Sequence, residues 1–247
     1  MEVHHHSHTS RNKWTHYFWE FLMLFLAVFC GFFAEYQLEH KIERERAREY
    51  ATQLYNDLRA DSSDFNFEIE ISKRSVHKLD TLSLLLNDYR NQNPSPEVIY
   101  MLSAFALREN VFEPITTAIE QLKNSGNLRY MGDISLRRIF SEYDVYIQIL
   151  KTHYDRSAST ENEIKKILTQ ILNIKEVSFV SKGNANELTL FSGKFELITS
   201  DLLLLKQYAN WCILKQQNLK KRISVLTTAQ RELRKLIQKL KDNFHFK

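Results

Sequence analysis

Apolar positions along this chain fall into three regimes. Over residues 17–34 they are nearly continuous, with Glu20 the one charge. Over residues 35–50 charged side chains of both signs sit all round the chain. Beyond Tyr50 apolar residues return every three or four positions, the period that gives a helix one buried face. This pattern predicts an all-α protein. One N-terminal transmembrane helix continues into a stalk, followed by an extramembrane bundle of long helices. The expected organisation is a His-containing disordered tail over residues 1–16, a transmembrane helix over 17–36, a charged stalk helix over 37–62, a helical bundle over 63–176, a loop over 177–194 and a long C-terminal helix with a heptad pattern over 195–247.

Local chemistry sets the expected helix ends. No Gly or Pro separates the apolar run from the charged stretch except Gly31 within the run, so one helix should leave the membrane as a stalk. Opposite charges three apart, as in Glu43–Arg46 and Glu45–Arg48, predict pairs that support it by a few tenths of a kcal/mol each. Tyr50, Leu54 and Leu58 then give it a buried face, and Asp61-Ser62-Ser63-Asp64 is expected to loosen or bend it. The pattern resumes through Val76, Leu79, Leu82, Leu86 and Tyr89 and stops at Asn91-Gln92-Asn93-Pro94. Ser95 as N-cap with Pro96 in the first turn starts a helix that runs to about Arg108. Pro114 opens another, which Gly126 ends in the left-handed conformation. Asp133 caps a long helix carrying Leu136, Phe140, Tyr143, Ile147, Leu150 and Tyr154 and extending toward Ile171.

Residues 177–187 are rich in Ser, Gly and Asn and read as a long loop, within which 177–180 have the composition of a short strand. The last helix, over about residues 195–242, carries Leu205, Cys212, Leu219, Leu226, Leu233 and Leu240 at every seventh position. Ala209, Ile223 and Ile237 stand at the companion positions, and Gln216 and Gln230 are polar breaks able to fix register. The pattern leaves open whether this seam closes within one chain or between chains.

As a helix, residues 17–34 extend about 27 Å, close to the hydrocarbon thickness of a bilayer. Trp14, Tyr17 and Trp19 at one end and Tyr36 at the other form the expected aromatic belt. Cleavage after Ala34 would put bulky Phe32 at the −3 position, and Phe29 precedes Cys30 where a lipoprotein signal wants a small residue. The run is therefore read as an uncleaved anchor. Glu20 lies one turn inside the aromatic end. It either bends toward the headgroups or meets a partner from a neighbouring span in an oligomer. Gly31 permits close approach of another helix.

Composition narrows the picture. The chain has 247 residues with Gly 5 and Pro 3, few enough breakers for long helices. The net charge of +4 is spread among interspersed signs, which is no nucleic-acid signature. The basic run over residues 215–222 reads as the solvated face of a helix, with an anionic-lipid or acidic-partner patch as the alternative. Cys30 and Cys212 are too few and too far apart for a disulfide framework.

Candidate chemistry is sparse. His4, His5, His6 and His8, with His16 nearer the span, suit a tail that titrates near neutral pH, with binding of a divalent transition metal as the alternative. Asp57, Asp61, Asp64 and Glu68 share one helix face. They read as the solvated outside of the stalk, with a hard-cation site as the alternative. His153 stands neither three nor four residues from Asp144 or Asp155. No phosphate-binding Gly loop, HExxH, CxxC or GxSxG occurs, so no catalytic, cofactor-binding or metal residue is assigned and no cofactor or enzyme activity is expected.

One block carries a resemblance. From Phe112 the chain reads FEPITTAIEQLKNSGNLRYMGDISLRRIFSEY, with Phe112, Leu122, Lys123, Ser125, Gly126, Asn127, Leu128, Leu136 and Tyr143 at the marked positions. Together with Lys13-Trp14, Glu20, the apolar run and the charged stretch, it resembles uncharacterised, singly membrane-anchored helical proteins common in Bacteroidota. The resemblance implies a bacterial inner-membrane protein whose helical domain lies in the periplasm, and no biochemical role comes with it. The Lys/Arg count, with Arg11 and Lys13 before the span against Lys41, Arg44, Arg46 and Arg48 after it, leans the other way. The expected partners are the lipid bilayer, an unknown protein and a further copy of the chain. Ser125-Gly126-Asn127 reads physically as a tight reversal between two helices.

Overall fold

The computed structural model describes residues 13–108, 112–182, 185–190 and 195–246, with side chains left undescribed over 176–190. The chain is all-α in architecture. Helix α1 spans Lys13–Asn87 without a break, 75 residues and so about 110 Å long. A single turn, α2 (Tyr89–Gln92), ends on Asn93 in the left-handed conformation, and α3 (Pro96–Leu107) turns back. Helix α4 (Thr117–Ser125) continues that return. Helix α5 (Ile134–Ile171) runs outward again, and α6 (Leu202–Phe244) comes back along α1 and α5. The result is four legs alternating in direction, the second of them broken between α3 and α4.

Each turn is made where local chemistry permits it. Ser95 accepts the Val98 N–H at 3.4 Å, and Asp133 accepts the Leu136 N–H at 2.8 Å. Gly126 ends α4 at φ 69°, so a short 3-10 turn over Asn127–Tyr130 can follow directly. Gly132, at φ 75°, has no room for a Cβ because the Asn243 side chain packs against it, which brings the start of α5 against the end of α6. Pro114 does not open α4. It is buried, Asp61 holds the Ile115 N–H, and the helix starts at Thr117.

Three expectations on the elements change. The Asp61-Ser62-Ser63-Asp64 stretch stays helical, because Asp61 turns inward onto the second leg and Ser63 donates back to the Ala60 carbonyl at 3.0 Å. Within the expected loop two strands pair antiparallel, β1 (Val177–Lys182) with β2 (Ala185–Leu190), in the register Val177↔Leu190 to Lys182↔Ala185. The last helix starts at Leu202 rather than near Phe195. Leu197 bridges Leu172, Ile198 N–H bonds the Ile171 carbonyl at 2.8 Å, and Asp201 caps the helix through Leu203 N–H.

The core divides in two along the bundle. The part nearer the N-terminal span gathers Leu54, Leu58, Phe65, Ile119, Phe140, Tyr143, Leu226 and Leu233. The far part gathers Leu79, Leu82, Ile99, Ile164, Leu168, Leu205, Tyr208 and Cys212. The heptad residues Leu205, Cys212, Leu219, Leu226, Leu233 and Leu240 are all buried inside this one chain. The polar breaks find partners on α1. Gln216 donates to Asp80 at 2.9 Å and Gln230 to Asn66 at 2.7 Å. These two bonds tie the register of α6 to that of α1.

Candidate functional site: a buried charged layer and a recess below the bundle

The two cores meet at a layer of charge. Glu68 on α1 and Lys215 and Arg222 on α6 are only 6%, 4% and 3% exposed. The basic run on α6 is therefore not a solvated face at either end. The Arg222 guanidinium stands 3.7 Å from the Glu68 carboxylate and 4.9 Å from the centre of the Tyr154 ring. Ser72 donates to Glu68 at 3.1 Å. Burial raises the Glu68 carboxyl above its ordinary range, while Arg222, Ser72 and Arg108 pull it back.

Lys215 closes α3, the first half of the second leg. Its ammonium donates to the Ala106 carbonyl at 2.8 Å and the Arg108 carbonyl at 2.7 Å, and stands 3.5 Å from Glu161. Three donors thus meet three acceptors at the C-terminus of α3, where a helix carries partial negative charge. Burial lowers the Lys215 pKa, and Glu161 opposes that shift.

The acidic face of α1 also turns inward. Asp61, 2% exposed, accepts the Ile115 N–H with both oxygens at 3.2 and 3.1 Å. Burial pushes its carboxyl up to about 6, against the pull of that N–H and with Asp64 and Asp57 adding to the rise. Asp57 is half-buried and raised by burial, and Asp64 is exposed. The four acids do not converge. Among the described residues no group of three or more His, Cys, Asp or Glu side chains is placed to hold a metal ion.

Other residues singled out in the sequence stand apart. His153 is half-buried, and burial followed by Arg156, Arg222 and Lys221 lowers its pKa. Asp144 pairs instead with Lys123 at 2.7 Å. Cys212 is buried and its thiol is pushed up to about 12, while Cys30 is exposed on the span. His4, His5, His6 and His8 lie outside the described residues. No nucleophile and base meet in these arrangements. The charged layer joins legs; it offers no open site for a substrate.

At the other end of the bundle the base grips α1 just beyond the span. Glu43 does not pair with Arg46. Arg129 reaches it at 3.2 Å and His40 at 3.3 Å, and a hydrogen bond from Tyr130 is the chief cause of its lowered pKa. Glu45 and Arg48 are likewise not an ion pair. Burial on α1 begins at Ala47, so the free stalk is about three turns, not the whole of residues 37–62. Beside this contact lies a recess of about 590 Å³ whose walls include Lys41, Arg44 and Arg48 from α1 and Tyr130 and Phe244 from the bundle.

The N-terminal part of α1 packs against no other element among the described residues. It is the one helix among the described residues long and apolar enough to cross a membrane, and its apolar window is wholly unburied. Phe21, Phe25, Phe29 and Phe33 form a ladder with ring centres 6.2, 6.1 and 6.4 Å apart. Glu20 has its own helix neighbour, His16, at 3.2 Å. Nothing lies within 4 Å of a Cβ placed on Gly31.

No family model, no curated protein and no solved structure matches this chain. Function must therefore be argued from these geometries alone. Lys215, Arg222, Glu68 and Asp61 read in sequence as solvated faces, and all four are buried instead. The available signal was their place next to the apolar stripe, for example Lys215 three residues after Cys212 and four before Leu219.

Proposed function

We propose that this protein is a single-pass, membrane-anchored scaffold that holds a helical interaction module close above the bilayer and catalyses no reaction. The observation carrying this reading is the continuity of α1. Its first third is bare and apolar, its last part from Ala47 is the first leg of the bundle, and about three turns separate the two. A bilayer removes the apolar third from water, which offsets what would otherwise be a large hydrophobic cost. The rigid junction fixes the height of the bundle over the headgroups. By its resemblance to anchored helical proteins of Bacteroidota, the membrane is the bacterial inner membrane and the bundle is periplasmic.

Affinity isolation of the full chain from a mild detergent extract is expected to return a reproducible protein partner, and recovery of the chain alone would count against a scaffold. Protease added to spheroplasts should digest the bundle. Full protection would place it in the cytoplasm. A homo-oligomeric membrane assembly is the second reading. Since the heptad seam is consumed inside one chain, that reading rests on the bare span with Glu20, and a monomeric mass in mild detergent would exclude it.

A further inference from the structure

The residues around the junction look evenly charged in sequence, but helix geometry sorts them. Lys41, Arg44 and Arg48 are spaced by three and four, so they share one stripe of α1. Glu35, Glu39 and Glu49 project more than a quarter turn away from it. The stripe faces the recess, with Tyr130 and Phe244 on the far wall and Glu45 the one acid at its edge. All three cations are exposed, and none of them is in an ion pair among the described residues. Glu43, on the same stretch of α1, is already engaged by Arg129, His40 and Tyr130. The recess is therefore a concentration of positive charge that the protein itself does not neutralise.

Its height matters as much as its charge. Lys41 lies seven residues beyond Ala34 and Arg44 ten, so their Cα atoms stand about 10 and 15 Å above the end of the apolar run. A long basic side chain bends back toward the headgroups from that height. The base of the bundle brings further groups to the same level: Arg129, Tyr130 and the 76% exposed Ile134, a cation, an aromatic with a polar tip and a bare aliphatic. That mixture is the one interfacial surfaces carry.

We propose that this recess binds the phosphate of an anionic phospholipid headgroup from the leaflet where the span ends. The inference rests on the membrane reading above. The headgroup phosphate sits against Lys41 and Arg44, and Arg48 extends the positive potential behind it. A bound lipid would brace the bundle against the bilayer and limit its tilt.

The full chain, purified in a mild non-ionic detergent, is titrated with phosphatidylglycerol and with phosphatidylcholine, and bound lipid is counted by native mass spectrometry. Wild type should retain phosphatidylglycerol roughly tenfold better than phosphatidylcholine. The variant Lys41→Gln/Arg44→Gln/Arg48→Gln should lose most of that preference, while Arg46→Gln, on the opposite face, keeps it. Equal retention of the two lipids by wild type overturns the proposal whether or not the triple variant folds. So does an undiminished preference in a triple variant that melts like wild type. Displacement of the lipid by millimolar inorganic phosphate would show a free-phosphate site and overturn the lipid assignment. Flotation with phosphatidylcholine vesicles tests the anchor separately. Wild type that fails to float refutes the membrane reading, whereas wild type that floats without lipid preference refutes only the headgroup site.

Discussion

One helix, α1, lives in two environments, and its two parts solve the problem of apolar surface in opposite ways. Around residues 17–34 the helix is apolar on every side, and every large side chain there but the half-buried Leu22 is exposed. Around residues 47–86 apolar residues occupy one stripe, and Ala51, Leu54, Leu58, Phe65, Leu79 and Leu82 along it are fully covered by the other legs. The first part asks for a solvent other than water; the second carries its own. Charge follows the same division. In the span the one carboxylate, Glu20, has a neighbour within its own helix. In the bundle Asp61 and Glu68 are buried, and their partners come from segments far away in sequence. An apolar stretch is thus readable without its context, while a buried charge is intelligible only with its partner.

The comparison breaks most sharply if the span is made costly for lipid. Leu26→Arg together with Phe29→Arg should cost about 5–7 kcal/mol of insertion free energy. The variant is expected to come off membranes in alkaline carbonate, with the thermal melt of its bundle unchanged. A fall in bundle stability would mean that the span packs on the bundle.

The converse perturbation acts on the bundle alone. Arg222→Leu leaves Glu68 buried without its counter-charge and should destabilise the folded chain by about 3–5 kcal/mol. Adding Glu68→Leu should recover most of that loss, because the pair is then replaced by apolar volume. Denaturant unfolding of the two variants in detergent measures both, and membrane association should be unaffected in each. If the double variant is no better than the single one, Arg222 acts through Tyr154 rather than Glu68.

Asp61 gives a smaller effect that depends on pH. Its folded pKa, about 6, lies above its ordinary value of 3.8, so the folded chain holds the proton more tightly. Stability from this group is therefore highest below 3.8 and falls as pH rises toward about 6. Asp61→Asn should remove that slope and raise stability at neutral pH by about 1–3 kcal/mol. Melting curves of wild type and variant across this range test it, and parallel pH profiles would refute it.

Smallest is the corner at Gly126. Its φ of 69° disfavours any side chain, yet nothing lies within 4 Å of an added Cβ. Gly126→Ala should cost about 1 kcal/mol by conformation alone, read as a modest drop in the melting temperature.

What could be read from sequence was what short-range physics decides. The apolar run, the caps at Ser95 and Asp133, the Gly126 turn and the Leu heptads all depend on neighbours within a few residues. The two carbonyls that Lys215 meets lie more than a hundred residues earlier and Glu161 lies on another helix, so its burial had no local sign. The same holds for Asp61. A run of Asp and Ser that favours a bend stays helical because the second leg supplies an N–H for its inward carboxylate. The Glu43–Arg46 and Glu45–Arg48 pairs failed for a related reason. At the base of the bundle Arg129 and Tyr130 compete for Glu43, and exposed pairs along one helix are too weak to resist. Residues 177–187 read as a loop with one strand-like run at 177–180, because Ser, Gly and Asn dominate the segment; the second strand, Ala185–Leu190, is recognisable only through its pairing with the first.

The bare apolar third of α1 and the first leg of the bundle form one unbroken helix. The direct test is a pulsed electron–electron distance between spin labels at Phe33→Cys and Arg74→Cys, with Cys30→Ser and Cys212→Ala, in lipid nanodiscs. An unbroken helix predicts a narrow distribution at about 62 Å. A broad distribution, or one centred well below that length, would show a hinge at the junction and contradict the account.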